Sequence, residues 1–436
     1  MFPRFWTLYV DEDLLKITGM NRYFCAVAVA ALLSFACVLP FSAATYTKCN
    51  WLDNKTSAVT FTFDDGLSNQ FTKMVPILDE FNMKATFYIV TDWATRDTLW
   101  PRLKEIAANG HEIGSHTLTH PTIAGSRELA ESKRIIEEKI GMPCLTVAYP
   151  YCNFPSDPDT LRALYISGRV CDGQLVGHYM KDTYNISSIM TGTESGVRTA
   201  DDIKAKLQTS KSEKKWCVFL IHEIDKGSGY SPTKSAELKT VLRFLKREGG
   251  NYWVATFREV SQYISENVAT TVTEVAETPD SAVVRLTNNL NDSLYNIPLT
   301  IKRSVPDGWT GAVVVQNGDT VKSWISGTTL YFNAVPDAGD VVIRPSGTTG
   351  VADISVESAN DAVSVSFSND VVTVRSKVPF SAIGLTDAEG RSVYASAMSS
   401  TSAVIPLDGD CTGIHILTVS FENGERCIRK LHFSAE

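Results

Sequence analysis

The sequence has no Cys-x-x-Cys pair, no block of lysine and arginine, no tract of low complexity and only seven histidines in 436 residues. Each scarcity removes a class of protein. Without thiolates paired at short spacing, a cysteine-bound zinc site is excluded. Without clustered cations, and with a net charge of -8, the chain lacks the footprint that holds a phosphate backbone, so nucleic acid is not an expected partner. No internal repeat that would signal a solenoid is legible. What is there suits a folded chain of two or three domains, with 44% hydrophobic and 21% charged residues.

Long apolar runs are scarce too, apart from one near the amino terminus. Starting at Met20, "MNRYFCAVAVAALLSFACVLPFSAA" joins a short basic start at Arg22 to an apolar stretch ending in small residues, the pattern of a secretory signal peptide. Residues 1–19 then read as an upstream extension, cleavage is expected after Ala44, and residues 1–44 stand outside the fold. The mature chain is expected to be exported, with no stable membrane span. Cys25 and Cys37 leave with the signal, and an odd set remains: Cys49, Cys144, Cys152, Cys171, Cys217, Cys411 and Cys427. At such wide spacing they make no disulfide scaffold, and Cys411 with Cys427 is the first pair to test.

Between residues 58 and 267 short apolar runs alternate with amphipathic segments. Strands are expected at 58–63, 85–90, 111–115, 145–149, 216–221 and 253–257, with helices such as 126–140 and 234–248 between them. Repeated strand-helix units imply a parallel sheet, closed or open, whose ligands sit at the strands' carboxyl ends. Residues 45–267 therefore form an α/β domain. Beyond it the pattern turns to period-two strands separated by Asn, Asp and Gly, which reads as all-β sandwich material. The small-residue linker "PSGTTG" divides it into modules at 268–345 and 351–436. Trp309, Trp324 and Tyr331 are candidates for a carbohydrate-binding face, against the commoner role of such aromatics in a core.

Chemistry collects behind three of the strands. "TFTFDDG" (60–66) sets Asp64 and Asp65 at the end of a buried run, where charge is costly unless paired or bound to metal. "GSHTLTH" (114–120) places His116 and His120 four apart, a spacing that on a helical turn aims both imidazoles one way. Asp65 could complete a two-histidine, one-carboxylate metal face with open coordination positions. In "FLIHEID", His222 follows a third strand and suits proton transfer near neutral pH.

In order along the chain, "TFDDG", "SHTLTH", "YPY" and "FLIH" resemble the motifs of the polysaccharide deacetylases, the NodB-homology family of carbohydrate esterases, over residues 58 to about 265. The resemblance implies an α/β fold, a distorted (β/α) barrel, here followed by the two small all-β sandwich modules. It implies Asp64 as general base, Asp65, His116 and His120 as ligands of a divalent metal, and His222 as general acid. Zinc is the default for a nitrogen-rich open site. The backbone N–H of Tyr151 would help hold the oxyanion. The implied partner is an acetylated polysaccharide or oligosaccharide, with N-deacetylation of an N-acetylglucosamine polymer expected first. O-deacetylation of acetylated xylan is the alternative, and a non-catalytic glycan-binding protein is the reading from another class.

Two motifs depart from the family. Ala148 and Tyr149 stand where an Arg-x-Pro would orient the catalytic aspartate, and the Asp-Trp fourth motif is not legible. Arg169 in "SGRVCDG", with Asp172 beside it, could supply the missing guanidinium from the next strand. Trp93 and Tyr230, in loops after strands, are sugar-platform candidates, whereas Trp253 in a barrel strand is expected in the core. Residues 351–436 resemble the carboxyl-terminal sorting domain of type IX secretion cargo, which would make secretion machinery a partner.

Overall fold

The computed structural model of the chain describes residues 45–306, 309–346, 363–368, 371–387, 391–407, 413–421 and 426–433. The signal segment, Cys411 and most of the "PSGTTG" linker lie outside the described residues.

After a short strand β1 (Thr47–Lys48), the α/β domain is built on β2 (Ser57–Phe63), β3 (Thr86–Ile89), β4 (Glu112–Ser115), β5 (Thr146–Ala148), β6 (Ser167–Arg169), β7 (Ile189–Met190), β8 (Trp216–Ile221) and β9 (Tyr252–Val254). All pairings are parallel, in the order β6-β5-β4-β3-β2-β8-β7, with β9 against the first residues of β2. The sheet curls until Arg169 bridges Ile186, just ahead of β7, so the barrel closes through one residue pair. This is the distorted barrel that the family resemblance implies, and its parallel sheet is what the strand-helix alternation implies.

Strand periodicity divides the core into two layers. Val59, Phe61 and Phe63 of β2 face outward and pack with Leu78, Phe87, Ile136 and Leu242 beneath the helices. Ala58 of the same strand faces inward with Tyr88, Trp216 and Val218. Thr60 shares that inner face and accepts a hydrogen bond from Trp216 Nε1 at 3.0 Å. Continued by two residues, the inward face of β2 arrives at Asp64. Gly114 in β4 is required here, because a Cβ would stand 2.5 Å from the Tyr88 ring.

The helix Phe257–Ala269 begins with a Thr256–Glu259 capping box and seals the barrel's amino-terminal end. Its first amides are taken by Thr86 Oγ1 and Glu112 Oε2 at 2.8 Å each. Phe257, Val260 and Ile264 enter the barrel core, while Tyr263 enters the core of the first β module. Tyr263 Oη donates to Cys49 O at 3.0 Å, and Gln262 Nε2 to Leu294 O at 2.6 Å.

That module is an antiparallel pair of sheets, one of which takes β1 from the far end of the chain through Thr47–Lys302 and Lys48–Ile301 pairing. The chain around residue 48, expected in the α/β domain, is thus hydrogen-bonded into the sandwich. The last described region is a five-stranded antiparallel sheet over a core that includes Val374, Ile383, Ile405 and Leu417. An all-β character is therefore observed for the described residues from Thr271 on.

Glu266, on the helix shared by barrel and module, is 1% exposed and accepts from Asn288 Nδ2 at 2.7 Å. Burial pushes its carboxyl up to about 7, with Asp337 and Asp292 adding to the rise against the Asn288 hydrogen bond. The folded state therefore holds a proton that the unfolded chain releases near 4.5, so this contribution to stability is complete below that value and is lost as pH rises through about 7. Glu266→Gln should raise the melting midpoint at pH 8 by about 2 °C or more, with the difference shrinking toward pH 5. Thermal unfolding at the two pH values checks this; equal midpoints throughout would contradict it.

Candidate metal centre

Five chain segments meet at the carboxyl ends of the barrel strands. From β2, Asp64 continues the ladder through its N–H to Ile221 O at 2.9 Å and points inward, 2% exposed. The chain then leaves through a left-handed turn at Asp65 (φ 76°) and Gly66 (φ 74°), and this turn sends the two carboxylates in different directions.

From β4 comes His116, whose N–H donates to Ile89 O at 2.9 Å. Its Nδ1 donates to Ala148 O at 2.9 Å, so the proton is placed there and the Nε2 lone pair is free. The segment to His120 is an irregular loop and not the expected helical turn. Thr117 and His120 both take left-handed backbone (φ 68° and 64°). Glu128 accepts from Thr119 N and Oγ1 at 2.8 and 2.9 Å, which ties the loop to the next helix. The imidazoles converge all the same, with ring centroids 4.9 Å apart.

Asp65, His116 and His120 offer donor atoms that all lie within 4.8 Å of one another. His116 Nε2 is 3.5 Å, and His120 Nε2 3.8 Å, from Asp65 Oδ1. Burial holds His116 down to about 4 and lowers His120 as well, so both rings are neutral and able to donate lone pairs near neutral pH. Burial, reinforced by the neighbouring Asp64 charge, pushes Asp65 up to about 7. A cation among these atoms would remove that penalty. Donor type, spacing and charge thus fit a divalent ion of the zinc class.

Asp64 is treated differently. Burial would raise its carboxyl, but the Arg169 guanidinium, with His116 and His222 nearby, holds it below the usual range. Arg169, 1% exposed on β6, donates from Nη2 to Asp64 Oδ2 at 2.5 Å and from Nη1 to Ser188 Oγ at 3.0 Å. Its Cζ lies 5.4 Å from the centroid of the Tyr88 ring. Asp64 Oδ1, buried beside the histidines, has no hydrogen-bond partner among the described residues.

His222 follows β8, with its backbone oxygen and that of Asp64 both bound by Gln70 Nε2, at 2.9 and 2.5 Å. Burial lowers its imidazole pKa, while Asp64 opposes that shift. Its Nδ1 has no partner among the described residues. Tyr230 packs edge-on against His222, ring centroids 5.2 Å apart, and Trp93 and Tyr151 flank His120 at 5.3 and 4.8 Å.

Asp172 is exposed on the loop beyond β6. Trp253 packs on Tyr263 at the edge of the sandwich core. In the first β module Trp324 stacks on Tyr331 across the paired strands Ser323–Ser326 and Thr329–Ala334, whereas Trp309 donates from Nε1 to Pro279 O. The sequence reading missed a disulfide, Cys152–Cys171, although each cysteine closely follows one of the strands that end at the site. It also missed Gln70, Ser188 and Tyr88, for which no motif offers a signal.

Residues 52–164 match the polysaccharide deacetylase family. The deacetylase match takes in Asp64, Asp65, His116, His120 and Tyr151, and ends before Arg169 and His222. The chain is 40% identical over 81 residues to a peptidoglycan-N-acetylglucosamine deacetylase of Bacillus cereus, covering 18% of this chain and 28% of that protein. It is 24% identical over 326 residues to a gellan lyase of a Bacillus species, covering 68% of this chain and 13% of that protein. The chain thus spans less than a third of the length of either relative. A solved family 4 acetyl xylan esterase from Clostridium thermocellum, in complex with a cobalt ion, aligns at 20% identity with a TM-score of 0.34, covering 48% of this chain and 92% of that one.

Replacing Arg169 should be costly in a particular way, because it strands a buried carboxylate. Arg169→Met is expected to lower unfolding stability by about 3–5 kcal/mol, and Asp64→Asn added to it should restore part of the loss. Urea denaturation of the single and double variants checks this; a double variant less stable than Arg169→Met would contradict the pairing.

Proposed function

We propose that the protein is an exported, metal-dependent hydrolase that removes acetyl groups from a carbohydrate polymer or oligomer, with N-acetylglucosamine residues as the first candidate substrate. The observation that carries this reading is the convergence of a neutral two-histidine, one-carboxylate donor set with a second, ionised aspartate, one oxygen of which has no partner among the described residues. The similarity to a peptidoglycan-N-acetylglucosamine deacetylase supports the substrate class. The amino-terminal signal pattern and the sorting-domain resemblance support export, with secretion machinery as a partner.

In this reading Asp65, His116 and His120 hold the cation, zinc by default. Such an ion, when bound, supplies a Lewis acid that polarises an acetyl carbonyl and acidifies water. Asp64 Oδ1 takes the proton of the attacking water, and Arg169, by holding Oδ2, keeps Asp64 ionised and aimed. The backbone N–H of Tyr151 donates to the oxygen that gains charge in the transition state, worth about 3 kcal/mol per donor in comparable sites. His222 gives a proton to the departing amine, and acetate and the free amino sugar leave. Both proton transfers are local: Asp64 must be ionised to accept, and His222, neutral at rest because burial lowers its pKa, must take up a proton before it gives one.

The roles separate experimentally. Asp64→Asn should bind zinc as the wild type does while losing acetate release by about 10²–10⁴-fold, whereas His116→Ala should lose both. Zinc titration and acetate assays on chitin oligomers, peptidoglycan fragments and acetylxylan, with and without chelator, check this. Equal zinc loss in the two variants would refute the division of roles. Turnover on acetylxylan alone would assign O-deacetylation instead.

A further inference from the structure

The Cys152–Cys171 disulfide plays no part in the chemistry above, yet it lies in the wall of the site. Cys152 follows Tyr151 directly, and Cys171 stands two residues after Arg169. Their Cα atoms are 5.6 Å apart, just past the ends of adjacent strands whose register pairs Ala148 with Arg169.

This wall has two weak points. Tyr151 and Cys152 both adopt left-handed backbone, φ 53° and 63°, although neither is glycine. Two such residues in succession persist only where their surroundings over-determine them. The second weak point is β6 itself, three residues long, beyond which the barrel closes through the single Arg169–Ile186 bridge. On that side the strand is held by Val170 N to Ile186 O, Ile186 N to Gly168 O and Gly168 N to Thr183 O. On the other side the disulfide adds a covalent tie to a short ladder.

We propose that the Cys152–Cys171 disulfide is a positioning element for the site: it clamps the Tyr151 turn to the strand that carries Arg169, keeping the oxyanion donor and the partner of Asp64 in register. The catalytic consequence rests on the deacetylase reading; the clamp itself rests on geometry alone. Asp65, His116 and His120 follow other strands, so loosening the clamp should spare cation binding. A disulfide that served only global stability would lower the melting midpoint and leave turnover at lower temperature untouched.

The test compares zinc-loaded wild type with Cys152→Ser/Cys171→Ser at a temperature where both are folded. The variant should lose kcat for acetate release by about tenfold or more while KM stays within about twofold. Zinc affinity should stay within about threefold, because the ligand set is unchanged. Amide exchange at 149–154 and 167–171 should quicken by about tenfold or more, with 112–120 unaffected. Given an active wild type, a wild-type kcat in the variant overturns the proposal, as does a loss of zinc in step with kcat. If the wild type releases no acetate, the deacetylase reading fails and exchange alone decides: faster exchange confined to the two segments supports the clamp, unchanged exchange overturns it. Should the variant not fold, a phosphine applied to folded wild type gives the same readouts. It cleaves the S–S bond to two thiols and becomes the phosphine oxide, with the oxygen and both protons supplied by water.

Discussion

The buried ion pair between Asp64 and Arg169 sets the terms for everything around it. Two adjacent carboxylates at the mouth of a barrel cannot both ionise without compensation. Arg169 compensates one of them, and holds Asp64 below the usual carboxylate range against its own burial. The Asp65 carboxyl is pushed up to about 7, with burial and the Asp64 charge acting against its ionisation. A cation would offset that second charge, and neutral imidazoles from His116 and His120 stand where it would sit. One arginine thereby leaves the two carboxyls of an acidic pair with opposite pKa shifts.

The fold supports this difference from below. Tyr88 lies inside the barrel under the Arg169 guanidinium and needs the missing side chain at Gly114 to fit. Ser188 Oγ accepts from Arg169 Nη1 and donates to Val170 O at 2.7 Å. Around the rim, left-handed residues at Asp65, Thr117, His120 and Tyr151 turn the chain sharply after β2, β4 and β5. The site is made of such turns, and the short hydrogen-bonded barrel ladder holds their starting points.

Much of this could be read from the residues. The acid pair stood out because charge at the end of an apolar run requires an explanation, and the strands of 58–63 and 216–221 follow directly from their apolar content. Arg169 was reachable through the resemblance, because the family's third-motif arginine is replaced here and the next strand carries an arginine. Other features were not legible. Four-residue spacing between His116 and His120 suggested a helical turn, but the same convergence arises from a loop with two left-handed residues, which spacing cannot distinguish. Pairing of Cys152 with Cys171 depends on β5 and β6 being neighbours, a relation between strands that no local pattern encodes. The capture of β1 by the sandwich is likewise a long-range pairing of a two-residue strand.

The most direct measurement is a crystal structure of zinc-loaded protein with anomalous scattering recorded at the zinc edge. The account predicts one strong peak, with Asp65 oxygen and the Nε2 atoms of His116 and His120 about 2.0–2.2 Å away. Asp64 should still be bonded to Arg169, with its second oxygen facing the metal's open side. Zinc held by Asp64, or Arg169 turned away from it, would contradict the account.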